Sequence, residues 1–478
     1  MLKASIYFNS DDCFLAWDMP FRHNCAGFAI YKEQVRANGE KYEGFIHNRT
    51  GFASDQHAPR SHKSSAEWPF QRYTWTDHLV DDGDTVTYTI YPVMKNGTKL
   101  EVDQTTKAKA GPVTLSSGGD GKTDAYFNRG ILLSQFITSK LPKDWTKSDL
   151  LALKKSLEKD DDELRHFLMG PLGAKLLNLL DTAIQKGWHV YGALYELDDD
   201  ILISKLKKIG KKAHLVLANG STKKKGEDGN KKAANALKTS VDLHRRMLWS
   251  EGLAHNKFLV FARTKEEPFL VWTGSTNWAT TGLCTQLNNG ILLEDKKLAS
   301  TYLDHWKLLR DDERIGRSNS KMHFGDALME SNNEPKSGNA KAIGNWTVWF
   351  TRTTESQDME AVTTLINNAK EAILFLMFEP GNNGLLQVVQ SRLSPASATY
   401  DKNLYIHGVV NTLKKNAPGK GEDVAVELVG RGTNKSFNLK VVEPTGVNGL
   451  PGWADEVMRR DFIMGQGGVI GHAIIHSK

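Results

Sequence analysis

The chain contains 478 residues with a hydrophobic fraction of 40%, which predicts a globular protein of two or three domains with sizeable cores. Three cysteines exclude a disulfide framework and fit a reducing compartment, and no Cys/His cluster has the spacing of zinc ligands. A formal charge of +6 is mild for this length, and neither a run of about eighteen apolar residues nor an apolar N-terminal segment occurs. We therefore expect no transmembrane segment and no standard signal peptide. These features predict a cytoplasmic protein, with peripheral membrane contact or non-standard export as alternatives.

Residues 1–110 are predicted to form a small all-β sandwich. Five short strand-like runs are separated by turn signals such as Asn38-Gly39 and Asp82-Gly83. The runs are 13–17, 27–31, 42–46, 72–75 and 85–93. Together, Trp17, the strand 27–32 and the alternating segment 88–91 resemble a fibronectin type III module, which implies an accessory role in targeting or packing.

The segment 111–123 is rich in Gly and Ser and is predicted to be a linker that separates this module from the rest of the chain. Helices are expected after Gly130 and over 148–168, where the acidic run 160–163 is most simply a solvated face. From residue 174 the pattern alternates between helix and strand, with helices at 175–186, 201–208 and 230–237 and strands at 188–197 and 214–218. This order predicts an α/β domain over 124–330, closed by a helix at 297–309.

The centre of this domain is a predicted buried hairpin. The apolar runs 258–262 and 269–272 are short, rich in β-branched and aromatic residues, and separated by a charged turn that contains a proline. His255 and Lys257 alternate along the first strand and so should point to one face. The polar turn 274–277 follows the second strand and should lie beside them. An imidazole, an ammonium, a hydroxyl and an amide in one place form a phosphate-binding group with a nucleophile or proton donor inside it.

His-x-Lys at 255–257 followed by Gly-Ser-x-Asn at 274–277 resembles the signature of the phospholipase D superfamily. Each half of this pattern alone is common, and a hairpin with incidental polar residues is the alternative interpretation. Two departures stand out: the acidic residue that the family usually carries five positions after the lysine falls on Ala262, and the spacing to Gly274 is longer than usual.

The second half of the chain, 340–478, repeats the order of the first. A helix at 359–370, a strand at 372–378 and a strand at 405–410 lead to residues 471–478, which parallel 252–257. We therefore predict a duplicated phospholipase D-like α/β/α unit, each copy with one His-x-Lys strand. The insertion 411–471 is either a lid over the site or a surface excursion. Because the chain stops at Lys478, before a second Gly-Ser-x-Asn turn, we expect the second copy to be truncated and the activity of the chain to be uncertain.

The resemblance implies two half-sites that share one phosphodiester. His255 and His476 would then be nucleophile and general acid, with His255 assigned as the nucleophile, and Lys257 and Lys478 would hold the phosphate. One imidazole attacks phosphorus to give a phosphohistidine while the other protonates the leaving oxygen, and the roles then reverse. Neither a metal nor another cofactor is expected.

Five further residues complete the predicted site. Asn277, with Ser275 and Gly274, would contribute phosphate contacts. Glu196 and Glu379 end strands that are aimed at the same region, and they either orient an imidazole or act as helix caps or rim carboxylates.

Three functions remain open at this stage. The first is a phosphodiesterase that hydrolyses, or transfers, the headgroup of a phospholipid. The second is a nuclease on the same scaffold, and the third is an inactive binding protein. Lysine-rich runs at 205–212 and 223–232 are either a solvated face or an electropositive rim that attracts lipid headgroups or nucleic acid.

Overall fold

A computed structural model describes residues 1–48, 51–52, 55, 62–116, 122–130, 146–221, 227–248, 253–312, 325–340, 344–377 and 384–410. The chain separates into two compact units, one built mainly from Met1–Asp120 and the other mainly from Leu150–Glu443. Four parts of the predicted site, Glu379, the insertion 411–471, His476 and Lys478, lie outside the described residues.

Met1–Asp120, the main part of the first unit, is all-β where the structure describes it. Its strands are β1 (Lys3–Phe8), β2 (Cys13–Asp18), β3 (Cys25–Val35), β4 (Lys41–Phe45), β5 (His47–Asn48), β6 (Lys63–Ser64), β7 (Thr74–Asp77), β8 (Thr85–Asn96), β9 (Lys99–Val102) and β10 (Ala108–Thr114). One sheet has the order β1-β2-β7, and the other has the order β10-β8-β3-β4 with β9 paired to β8. Leu15 and Trp17 from the first sheet pack with Ile30 and Tyr88 from the second in one buried cluster. The sandwich is therefore as expected, whereas the fibronectin type III resemblance stays a prediction.

A buried ion pair crosses the core of this sandwich. The Lys32 ammonium lies 2.6 Å from the carboxylate of Asp77, and both side chains are almost fully buried. The Tyr88 hydroxyl donates to the same carboxylate at 2.8 Å. Two donors thus compensate one buried negative charge, which keeps the cost of its desolvation tolerable.

The first part of the predicted linker is not a linker in the structure. Residues 111–114 continue β10, which pairs with β8 through a register shift after Ala110. The glycine that suggested a flexible segment, Gly111, has φ +97° and approaches the Val86 carbonyl closely, so it serves an irregularity within a sheet.

The second unit begins with a seven-stranded mixed sheet and its helices. These elements are β11 (Thr123–Phe127), α1 (Lys147–Ser156), α2 (Glu163–Lys186), β12 (His189–Leu194), α3 (Asp200–Ile209), β13 (Ala213–Ala218), α4 (Lys231–Leu237), β14 (Asp242–Arg246), β15 (Lys257–Ala262), β16 (Pro268–Gly274), α5 (Thr280–Cys284), β17 (Asn289–Leu293) and α6 (Lys296–Asp311). The strand order is β11-β17-β16-β15-β12-β13-β14. Strands β12, β13 and β14 are parallel, and β15 runs antiparallel to β12 and to β16. The α/β class and the central hairpin are therefore confirmed.

Helix α2 shows how local sequence sets these boundaries. The acidic run predicted to be a solvated face is exposed apart from the half-buried Asp162, and it also starts the helix, because the Asp162 side chain accepts a hydrogen bond from the Arg165 amide. Gly170, with φ +53°, interrupts the helix before Pro171, and Gly187 ends it in a left-handed conformation. Among the described residues, α2 is the one helix long and apolar enough to cross a bilayer by length and composition. Its interruption and its buried face are those of a core helix.

Helix α6 covers one face of the sheet. Trp306 is buried against Tyr191 and donates its indole N–H to the Gly192 carbonyl at 3.0 Å. Val260 and Val271 from the hairpin belong to the same core cluster. The predicted closing helix, α6, thus packs against the hairpin on one face of the sheet.

A chain of polar contacts joins the parallel strands at one end of the sheet. His189 Nδ1 lies 3.0 Å from His214 Nε2, and the Asp242 carboxylate lies 2.7 Å from His214 Nδ1 and 3.1 Å from His244 Nε2. Burial lowers the pKa of His189, and a charge on His214 would lower it further. This end of β12 is the one remote from Lys257, which pairs with Leu194.

The remaining described elements are α7 (Asp326–Asn332), β18 (Lys336–Ala340), β19 (Gly344–Val348), α8 (Gln357–Asn368), β20 (Ala372–Met377), α9 (Leu385–Leu393) and β21 (Tyr405–Val410). Strands β20 and β21 are parallel. The order α8-β20-α9-β21 matches the order α2-β12-α3-β13, as the predicted repeat requires. Duplication of the whole unit stays a prediction.

Candidate functional site

Four chain segments meet at one end of the strands of the seven-stranded sheet. Strand β12 ends there, β15 begins, β16 ends and β17 begins, as the pairing registers require. The carboxyl ends of parallel strands are a common position for ligand sites because loops diverge from them. Every described residue of the predicted site lies at this end of the strands.

The side chains of His255 and Lys257 both contact the ring of Tyr195. Strand β15 begins at Lys257, so His255 precedes the strand rather than lying within it. The imidazole of His255 packs edge-to-face against Tyr195, with ring centroids 4.4 Å apart, and the Lys257 ammonium lies 5.2 Å from the centroid of the same ring. The ammonium also donates to the His255 carbonyl at 3.1 Å. The structure thus places the two predicted side chains together.

The glycine at the end of β16 is required by close approach. Gly274 has φ +144°, and a Cβ atom on it would lie 2.4 Å from the Asn289 carbonyl oxygen. A larger residue would push β17 away from β16. Gly274 therefore shapes the turn, and its predicted phosphate contact stays a prediction.

Ser275 is held inside the turn. Its side chain is 1% exposed, its hydroxyl donates to Asn288 Oδ1 at 2.8 Å, and it accepts from the Asn289 amide at 3.1 Å. These contacts give Ser275 a role in fixing the start of β17. They leave the predicted phosphate contact of this hydroxyl without support.

Asn277 is tied to Glu196. Its side-chain NH2 group donates to the Glu196 carboxylate at 2.5 Å, and the Trp278 amide donates to the Glu196 carbonyl at 3.1 Å. Asn277 is 4% exposed, and its Oδ1 atom has no hydrogen-bond partner among the described residues. An amide NH2 has two hydrogens, so one donor remains for a ligand oxygen.

The Glu196 carboxylate binds an amide of the predicted site. The predicted alternatives were an orienting contact to an imidazole, a helix cap or a rim carboxylate, whereas the carboxylate accepts its hydrogen bond from the Asn277 amide across 81 residues of sequence. The physical reason is the turn of the chain after β12: Leu197 forms a bridge with Trp278, which draws Glu196 to the loop after β16.

Two asparagines outside the predicted site organise this end of the strands. The Asn230 side chain accepts from the Leu197 amide at 3.0 Å and donates to the carbonyls of Tyr195 and Ala218 at 2.7 and 2.8 Å. Asn128 donates to backbone carbonyls in α5 and just after it, including that of Gln286 at 2.6 Å. The one sequence signal was position: Asn230 begins a predicted helix, where a polar cap is common.

The departure at Ala262 lies far from these groups. Ala262 is buried at the opposite end of β15, paired with His189. Five residues of strand span about 16 Å. The missing carboxylate therefore leaves the surroundings of Lys257 unchanged.

The described lysines of the two lysine-rich runs are partly engaged elsewhere. The ammonium groups contact Asp181 (from Lys205), the Val241 carbonyl (Lys211), the Gly187 carbonyl (Lys212) and Asp200 (Lys232). Lys207 and Lys208 occupy the last turn of α3, where positive charge is favourable. These contacts favour the solvated-face interpretation over an electropositive rim, and residues 223–225 lie outside the described range.

The arrangement combines a nucleophile with charge stabilisation. Burial raises the pKa of Tyr195, so its phenol stays neutral beside the imidazole. An ammonium and an amide donor close to an imidazole can hold an anionic oxygen while the ring attacks or donates a proton. Within the described ranges, no group of three or more His, Cys, Asp or Glu side chains is placed to hold a metal ion.

Comparison with known proteins gives distant structural likenesses. No family model matches the chain, and no curated protein matches it. NucT from Helicobacter pylori is similar over 28% of this chain and 87% of its own, at 13% identity and a TM-score of 0.22. Nuc from Salmonella typhimurium, a phospholipase D family member, is similar over 27% and 83%, at 17% identity and a TM-score of 0.20. Yeast tyrosyl-DNA phosphodiesterase is similar over 44% of this chain and 54% of its own, at 12% identity and a TM-score of 0.26.

Proposed function

We propose that this chain is a phosphodiesterase of phospholipase D type that works through a phosphohistidine at His255. One observation carries the proposal. Two adjacent residues, Tyr195 and Glu196, contact all three of the predicted groups: the imidazole of His255, the ammonium of Lys257 and the amide of Asn277. Residues chosen from a local sequence pattern would not be expected to share neighbours in this way if the pattern were incidental.

The reaction follows from these groups. An imidazole nitrogen of His255 attacks phosphorus, a P–N bond forms, and the bond to the leaving oxygen breaks as that oxygen takes a proton. The Lys257 ammonium and the remaining Asn277 N–H stabilise the negative equatorial oxygens. His476 is the proposed acid for the leaving oxygen, and Lys478 is its proposed companion. Water or another alcohol then attacks phosphorus and releases the histidine.

The test is hydrolysis of bis(p-nitrophenyl) phosphate by the full chain and its His255→Gln variant. We expect kcat to fall by about 10³-fold or more, because the nucleophile is lost. The matched control is His189→Gln, which changes a histidine at the opposite end of β12 and should retain parental activity. An inactive parent chain, or a His255→Gln variant as fast as the parent, would reject the proposal and favour a binding protein.

The proposed substrate is a phospholipid. Leu253, two residues before His255 in the sequence, is 58% exposed and offers an exposed apolar side chain for a lipid. The partly engaged lysines weaken the case for a nucleic-acid groove. Turnover of phosphatidylcholine or cardiolipin vesicles, compared with single-stranded DNA at equal phosphodiester concentration, separates the two. A higher kcat/KM on DNA would replace the lipid assignment with a nuclease.

A further inference from the structure

We infer that Tyr195 is the positioning residue of the site, holding the His255 imidazole and the Lys257 ammonium on its ring. This inference rests on the proposed function and adds to it a residue outside the His-x-Lys and Gly-Ser-x-Asn pattern. Tyr195 is 6% exposed, so its ring is buried where it packs against both reactive groups.

The backbone of Tyr195 is fixed from both sides. Its amide donates to the Asn256 carbonyl at 2.9 Å, and its own carbonyl accepts from the Asn230 side chain at 2.7 Å. Asn256 is the residue between His255 and Lys257. The ring of Tyr195 is therefore held in register with the two side chains that flank Asn256.

The ring restricts both neighbours. It meets the imidazole of His255 at 73° and a centroid distance of 4.4 Å, which is a favourable edge-to-face geometry. The Lys257 ammonium lies 5.2 Å from its centroid, where the negative face of an aromatic ring attracts a cation. One ring thus limits the orientation of the nucleophile and the position of the charge that stabilises the phosphate.

The hydroxyl of Tyr195 contacts a different residue. It lies 3.3 Å from Ser221 Oγ, and burial raises the pKa of the phenol, while the charge of Glu196 acts in the same direction. Tyr195 is therefore not placed as a proton donor to the leaving group. Its function lies in the ring, and the hydroxyl is dispensable.

Kinetics of three variants test this division. Tyr195→Leu should lower kcat/KM at least about tenfold, because an aliphatic side chain fills space without the ring's attraction for a cation. Tyr195→Phe should restore kcat/KM to within about twofold of the parent. Ser221→Ala, the control for the hydroxyl contact, should behave like Tyr195→Phe. A Tyr195→Leu variant that folds and hydrolyses like the parent would overturn the inference, as would a Tyr195→Phe variant as slow as Tyr195→Leu.

A measurement without turnover separates this inference from the proposed function. In the parent labelled with ¹³C-histidine, the His255 ring signals, assigned with His255→Gln, should be displaced by the ring current of Tyr195. The displacement should persist in Tyr195→Phe and vanish in Tyr195→Leu. Signals at ordinary positions in the parent would overturn the inference even if Tyr195→Leu fails to fold. Displaced signals in a chain whose His255→Gln variant is fully active would instead reject the proposed function alone.

Discussion

Asn230→Ala should loosen the segment that carries Tyr195 and Glu196. The Asn230 side chain, 3% exposed, makes three hydrogen bonds to backbone groups. The Ala218 carbonyl keeps a second donor, Arg245 at 3.1 Å, so its loss is small. The Tyr195 carbonyl and the Leu197 amide lose their described side-chain partner. Two buried groups left unpaired at about 1–3 kcal/mol each give about 2–6 kcal/mol.

Amide hydrogen exchange at Tyr195 measures this loss locally, because its N–H bonds to Asn256 and not to Asn230. A loss of about 3 kcal/mol corresponds to about a hundredfold fall in protection. Asn230→Asp should lose as much, since a carboxylate oxygen would face two carbonyls, and the exposed neighbour Lys231→Ala is the control. Protection of Tyr195 within about threefold of the parent in Asn230→Ala would refute the reasoning.

Three further predictions concern other parts of the chain. Gly274→Ala should lower the thermal midpoint of the α/β unit and the activity together, because the new Cβ would meet a β17 carbonyl at 2.4 Å; Gly210→Ala, also at positive φ but with open space around it, is the control for backbone strain alone. Asp77→Asn should destabilise the β-sandwich by about 3–5 kcal/mol in urea unfolding, because Lys32 keeps a buried charge without its partner. A joint Lys32→Met, Asp77→Leu replacement should recover most of this loss. An unchanged urea midpoint in Asp77→Asn would contradict the prediction. Burial lowers the pKa of His305 to about 3, so the unfolded chain binds a proton at pH 5 that the folded chain excludes. The free energy of unfolding should therefore be highest above about pH 6.5 and about 2 kcal/mol lower at pH 5. His305→Phe should reduce this loss at acid pH, and a pH profile of unfolding unchanged in the variant would count against the prediction.

Much of the α/β unit was predictable because its elements are set by neighbours in sequence. The alternation of helix and strand, the hairpin of β15 and β16, and the parallel pair β20 and β21 follow from apolar periodicity. The errors arose where one local sequence signal is compatible with two different structures. A Gly-rich segment predicted to be a linker contains the end of β10, because Gly111 serves a sheet irregularity as readily as a flexible loop.

The sequence predicted which residues lie at the site, but not which of them contact each other. His255, Lys257 and Asn277 were chosen from a short sequence pattern and the family resemblance that it carries, and the structure brings them together at one end of the sheet's strands. The hydrogen bond from Asn277 to Glu196 was not foreseen, and Ser275 proved to be held within the turn.

From the sequence alone, four of the seven strands of the sheet and the side chains that could act on a phosphate were predictable, because they follow from periods of two and 3.6 residues, from short motifs and from the resemblance that those motifs carry. The tertiary structure added that Tyr195 contacts His255 and Lys257, that Glu196 accepts a hydrogen bond from Asn277 across 81 residues, and that Asn230 joins two strand ends. Such contacts depend on how strands order themselves in a sheet. That order follows from burial of the whole core, and no stretch of the chain encodes it alone.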